Sequence, residues 1–207
     1  MKKFESLTAV AAPMPLQNID TDQIIPKQFL KIIQRNALGD KLFFDLRYEE
    51  SGAERAGFVL NREPYRSARI LVTGHNFGCG SSREHAVWAL MDYGVECVIS
   101  TGFSDIFAGN CIKNGLLAAK LSEPDRDLLL AQLRETPGMR LSIDLPSQII
   151  RAGSGRELKF AVDAFAKTRL LEGKNDIDIT LQYSENITAY EVSRLAREPW
   201  LIPAQRP

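Results

Sequence analysis

Three short β-rich apolar runs, "RILVT" at 69–73, "VECVIS" at 95–100 and "LLAAKL" at 116–121, are each followed by a stretch of helical pattern. Residues 69–73 read as a buried strand stopped by Gly74. Residues 82–93 read as a helix, with Ala86, Val87, Trp88, Leu90 and Met91 spaced to place most of them on one face. A helix over 104–115 starts on Ser104 as its N-cap and stops at Gly115. "SEPDRDLLLAQLRETPG" has acids at its start, an apolar stripe and a Pro-Gly stop, which define a further helix. Strand–helix alternation repeated three times points to an α/β core with parallel pairings, that is, a sheet flanked by helices.

The character changes after Gly138. "MRLSIDL", "QIIRAG" and "ELKFAVD" alternate as short strands around turns at Pro146 and Gly153-Ser154-Gly155, so a small antiparallel unit is expected. "AFAKTRLLEG" and "NITAYEVSRLAR" read as helices, and "EPWLIPAQRP" as a tail with little regular structure. The front end, "FESLTAVAAPMPLQNIDTDQIIPKQFL", suggests a strand and then a polar loop, with an irregular stretch over about 27–64. There is no internal repeat and no low-complexity linker. At 207 residues the expectation is a single domain over 1–207, with a flexible tail from about 198.

Lysine plus arginine balance aspartate plus glutamate at 26 each, so no net charge draws the chain to nucleic acid or a membrane surface. With no basic aromatic stripe either, an RNA-binding role is disfavoured. No apolar run reaches signal-peptide or membrane-spanning length, so the expected compartment is the cytoplasm. Cys79, Cys97 and Cys111 form no C-x-x-C pair, which argues against a disulfide framework and against a metal or iron–sulfur site held by this chain alone. The Asn186-Ile187-Thr188 sequon is a chance match in an unsecreted chain.

The chemistry concentrates in "TGHNFGCGSSREHAVWALMDYG", 73–94. A dinucleotide fingerprint fails because Arg83 stands where the third glycine belongs, and a P-loop fails for want of its lysine. What remains suits an anion. Gly78 and Gly80 allow close backbone approach, Ser81 or Ser82 would cap the helix, and Arg83 on its first turn offers a planar fork for a carboxylate. A serine hydroxyl beside a cation and a helix N-terminus suits a base acting next to a carboxylate, or a binder of that carboxylate. A lone serine before a helix need be only its cap; two glycines, two serines and an arginine together favour the site. Cys79 reads as a packed or lining residue. His85, beside Glu84, reads as a hydrogen-bonded structural histidine, and with His75 the only other histidine a His-rich metal site is excluded.

These residues resemble a known family. "NFGCGSSREHAVWAL" is similar to the signature of the 3-isopropylmalate dehydratase (isopropylmalate isomerase) small subunits, the swivelling domain of the aconitase superfamily. "NIDTDQIIPKQFL", "GFSDIFAGNCIKNGLL" and "VDAFAKTRLLEGKNDIDITL" agree with the same family, so the resemblance runs over about 5–192. It implies a swivel-type β/β/α domain with a mixed sheet. It also implies that Ser81 is the catalytic serine, whose alkoxide takes a proton from carbon, and that Arg83 binds a substrate carboxylate and stabilises that alkoxide. Ser82 and Gly80 would lie against the substrate, and Asp22 and Lys27 would border it. Asp20 would share that role or serve as a capping residue.

The implied reaction converts 2-isopropylmalate to 3-isopropylmalate through isopropylmaleate in leucine biosynthesis; citraconate, maleate or a homoaconitate-type acid are the alternative substrates. The implied cofactor, a 4Fe-4S cluster, would reside on a partner large subunit, and the active site would form across the interface.

Overall fold

The computed structural model describes residues 1–153 and 155–201; the centre of the expected turn at Ser154 and the tail from 202 onward lie outside the described residues. The chain divides into two compact units, Met1–Gly173 and Lys174–Pro207.

The first unit is built on one mixed sheet of seven strands: β1 (Ser6–Met14), β2 (Ile70–Thr73), β3 (Cys97–Ser100), β4 (Leu117–Lys120), β5 (Arg140–Asp144), β6 (Ile149–Arg151) and β7 (Glu157–Lys159), in spatial order β4-β3-β2-β1-β5-β6-β7. β4, β3, β2 and β1 run parallel, with Ile70 opposite Ala11 and Cys97 opposite Ile70. β5, β6 and β7 continue antiparallel from the other edge of β1. The expected antiparallel unit is therefore part of the main sheet, and β1 joins the two halves.

Every residue of β2 and β3 is buried, as in a parallel sheet covered on both faces. The strand period of two sorts their side chains. Ala11, Ile70, Val72, Cys97 and Ile99 enter one core with Leu129, Leu130 and Leu133 of α5 (Glu123–Glu135). Ala12, Leu71 and Val98 enter the other, with Ala86 and Leu90 of α3 (Glu84–Tyr93) and Phe107 and Cys111 of α4 (Asp105–Asn114). Ser104 caps α4 through the Phe107 N–H, and Gly115 ends it at φ +90°, as the residue types dictate.

The irregular stretch after residue 26 also packs into this second core. It contains α2 (Phe44–Arg47) and several 3-10 turns, and it buries Leu38, Leu42, Phe43 and Leu60 completely. Helix α1 (Thr21–Ile24) precedes it, and α6 (Ala164–Glu172) closes the first unit. In the second unit, α7 (Asp176–Leu181) begins with a capping box between Asn175 and Asp178, and α8 (Ser184–Arg197) leads into a 3-10 turn at Pro199–Leu201. No helix among the described residues is long and apolar enough to cross a membrane.

Candidate active site

The Gly-rich loop leaves the carboxyl end of β2, where ligands of open parallel sheets gather. It is zipped along residues 19–21 in parallel fashion: Gly78 N–H donates to the Ile19 carbonyl at 2.8 Å, and Thr21 N–H to the Cys79 carbonyl at 2.9 Å. The buried Thr21 side chain then donates from Oγ1 to the Ser81 carbonyl at 3.0 Å. Segment 19–25 is thus a strap that holds the serine-bearing loop in place.

Two glycines make this course possible. Gly78 has φ +75°, and a Cβ there would stand 2.2 Å from the Phe107 ring. Its role is packing against Phe107, which corrects the expectation of ligand approach at that position. Gly80, at φ +88°, is exposed, and a Cβ there would meet the Asp20 Cβ at 3.4 Å and Thr21 Oγ1 at 3.7 Å, ordinary van der Waals contacts.

Ser81 and Ser82 are exposed, but neither caps the helix. α3 begins two residues later than the sequence pattern suggests, with Arg83 as its N-cap residue in extended backbone (φ −135°, ψ 106°) and no side-chain cap bond. The reason lies in the strap: Thr21 holds the Ser81 carbonyl and Asp22 holds the Arg83 side chain, so the chain enters the helix only at Glu84.

The Arg83 fork is already engaged. Nη2 donates to Asp22 Oδ2 at 2.8 Å, Nη1 donates to Oδ1, and Nη1 also reaches the Ile25 carbonyl at 3.5 Å. Arg83 is 14% exposed at the side chain and Asp22 51%. Two residues expected to face the substrate separately are therefore paired with each other. The Arg83 hydrogen bonds hold the Asp22 carboxyl below its usual pKa, opposed by desolvation and aided by the Arg83 charge and the Lys27 backbone N–H and charge. The end-on contact uses Nη1 and Nη2. Among the described residues no partner takes Nε, which leaves the Nε–Nη2 edge for a second carboxylate.

Asp20 is a capping residue: its carboxylate accepts from Gln23 N–H at 2.7 Å, and Gln23 Oε1 accepts from Asp20 N–H at 3.0 Å. Lys27 is exposed at the start of a 3-10 turn. Asp20, Asp22, Lys27 and Asp45 line a cavity of about 200 Å³. His75 meets Thr101 Oγ1 through Nδ1 at 3.1 Å. Thr21 is the site residue that sequence reasoning missed: it sits inside the quoted "NIDTD", where the acids drew attention and the buried hydroxyl did not.

The cysteines do not suit a metal cluster. Cys97 and Cys111 are fully buried in opposite cores, and burial pushes both thiols up, which disfavours the thiolate. Cys79 is partly exposed. Among the described residues there is no group of three or more His, Cys, Asp or Glu that could hold a metal ion.

Comparison with known proteins agrees with this architecture. Residues 1–124 match the family model for the aconitase C-terminal domain, and 127–164 match the LeuD_N model. Residues 176–204 match the model for the C-terminal domain of the 3-isopropylmalate dehydratase small subunit. The 3-isopropylmalate dehydratase small subunit of Xanthobacter autotrophicus is 51% identical over 97% of this chain and 100% of its own length. That of Rhodospirillum rubrum is 51% identical over 97% of each chain. A solved 3-isopropylmalate dehydratase structure from Methanocaldococcus jannaschii shares the fold at a TM-score of 0.64 and 24% identity, covering 90% of this chain and 99% of its own. A glycine-rich loop on a mixed sheet, with its arginine and serines in place and relatives matched end to end, makes this chain a member of the 3-isopropylmalate dehydratase small-subunit family.

Proposed function

We propose that this chain, acting as one swivel-type domain in the cytoplasm, is the small subunit of a heteromeric hydro-lyase. The enzyme interconverts 2-isopropylmalate and 3-isopropylmalate through isopropylmaleate, in leucine biosynthesis. Loss of hydroxide from a hydroxy-diacid requires a Lewis acid. The cysteines of this chain do not fit a 4Fe-4S cluster, so we assign that function to a partner large subunit, with the active site completed at the interface.

The residues of this chain supply the other half. Ser81, as its alkoxide, takes the proton from the substrate carbon, and on rehydration its hydroxyl returns a proton to carbon. Arg83, held end-on by Asp22, binds a substrate carboxylate along its Nε–Nη2 edge and lowers the cost of charge on Ser81. Ser82 and the Gly80 backbone contact the same diacid, and Asp22 and Lys27 border it, with the segment beyond Lys27 completing the wall.

The observation that carries this reading is the exposed serine loop latched by Thr21 next to an arginine gripped by Asp22. The test is reconstitution. The purified chain alone should turn over no hydroxy-diacid, and addition of the large subunit should yield 2-isopropylmalate isomerisation. Turnover by the isolated chain, or preference of the pair for an unbranched diacid, would reject the proposal.

A further inference from the structure

We infer that Thr21 is a positioning residue for proton transfer: its buried hydroxyl fixes Ser81 through the Ser81 carbonyl, and so governs kcat rather than substrate binding. This rests on the function proposed above and deepens it.

The Gly-rich loop is gripped from two sides over its first half only. On one side lie the strap and the residues just before it. Gly74 N–H donates to the Leu16 carbonyl at 3.0 Å, Asn18 N–H to the His75 carbonyl at 2.9 Å, and Asn76 Nδ2 to Asn18 Oδ1 at 2.9 Å. On the other side lies the turn between β3 and α4. Ser100 Oγ donates to the Gly74 carbonyl at 2.6 Å, Phe77 N–H to the Gly102 carbonyl at 3.1 Å, and Ser104 Oγ to the Gly78 carbonyl at 2.5 Å.

Past Gly78 the second grip ends. Gly80, Ser81 and Ser82 are all exposed, and among the described residues their one hydrogen bond runs from Thr21 Oγ1 to the Ser81 carbonyl. Gly80, lacking a Cβ, leaves the backbone before Ser81 free to turn, so without that bond the serine swings on a flexible joint. Thr21 can hold it because Thr21 is itself held. It is 2% exposed, its N–H is tied to the Cys79 carbonyl, and its own carbonyl accepts from Ile25 N–H at 3.0 Å. Arg83 keeps its place through Asp22 instead. The carboxylate fork and the base are thus anchored separately, and a base displaced by about 1 Å loses rate without losing substrate.

The test uses two pairs that each differ in the hydroxyl: wild type with Thr21→Val, and Thr21→Ser with Thr21→Ala. In the reconstituted enzyme, kcat should fall about two- to ten-fold within each pair, as for loss of one hydrogen bond, with KM within about two-fold. Should the valine variant fail to fold, the serine and alanine variants decide alone. Native labelling of Cys79 in the full-length chain should quicken by a comparable factor wherever the hydroxyl is absent.

Equal kcat within a pair would overturn the proposal. A rise in KM at constant kcat would do the same, since Thr21 would then serve the Arg83 edge. Equal labelling rates would mean that the loop is held without the hydroxyl, and would also overturn it. Faster labelling beside a wild-type pair that turns over no branched diacid would reject the functional reading and its link to Thr21, with the latch intact.

Discussion

Asp22→Asn separates what the Asp22–Arg83 pair does for stability from what it does for chemistry. The variant keeps the shape of the side chain and one acceptor but removes the charge and the second acceptor from the Arg83 fork. With Asp22 51% exposed, water screens the pair heavily. Such pairs contribute about 0.2–1 kcal/mol, so the urea midpoint should move little. The catalytic effect should be larger. A hydrogen bond to a charged group that aligns the substrate-binding edge is worth about 1.5–3 kcal/mol, or roughly ten- to hundred-fold in kcat/KM. The pH dependence has a definite sign. Arg83 lowers the folded-state pKa of Asp22, so the pair's stabilisation is present above the unfolded-state pKa and is lost as pH falls through the lowered value. Wild type and variant should therefore differ slightly at neutral pH and converge in acid. Steady-state kinetics of the reconstituted pair and urea denaturation of the chain provide both numbers. A kcat/KM within about two-fold of wild type would refute the orienting role, and a stability loss above about 2 kcal/mol would refute the screening argument.

Gly78→Ala combines a left-handed backbone, at about 1–2 kcal/mol, with a Cβ 2.2 Å from the Phe107 ring, at about 1–3 kcal/mol. A destabilisation of about 2–5 kcal/mol in urea denaturation is expected, and no change would mean that the loop does not pack there. Native thiol labelling should modify Cys79 and spare Cys97 and Cys111 until the chain unfolds, because burial raises both buried thiols; rapid native labelling of all three would contradict this. Arg83→Lys should lose at least about ten-fold in kcat/KM, since a point charge cannot serve Asp22 along one edge and a carboxylate along the other; wild-type kinetics would dispose of the two-edged fork.

The parallel half of the sheet was legible because β2, β3 and β4 are short apolar runs separated by helices, of which α4 has Ser104 and Gly115 in their expected capping positions. The α3 boundary was not, because the strap overrides local capping: Ser81 and Ser82 are good N-cap residues, yet contacts from Thr21 to the Ser81 carbonyl and from Asp22 to Arg83, about 60 positions earlier, delay the helix to Glu84. The packing of the stretch after residue 26 was equally hidden. Leu38 and Leu42 are spaced as on a helix face, yet only short turns form there, and tertiary burial identifies Leu38, Leu42 and Phe43 as core. α7 went unnoticed between two recognised segments, though its Asn175–Asp178 capping box is a local signal. The candidate site residues were read singly, Gly80, Ser81, Ser82 and Arg83 from their residue types and Asp22 and Lys27 from the family resemblance. Their pairing, with Asp22 on Arg83 and Thr21 on Ser81, lies between segments and could come only from the fold.

The most direct test of the central claim is turnover by the reconstituted enzyme carrying Ser81→Ala, followed through the unsaturated diacid. Ser81 is exposed and fixed through its backbone carbonyl, so the substitution removes only the hydroxyl and leaves the Thr21 latch in place. The account predicts that kcat falls roughly a thousand-fold while subunit assembly and substrate affinity are retained. Turnover within about ten-fold of wild type would contradict it.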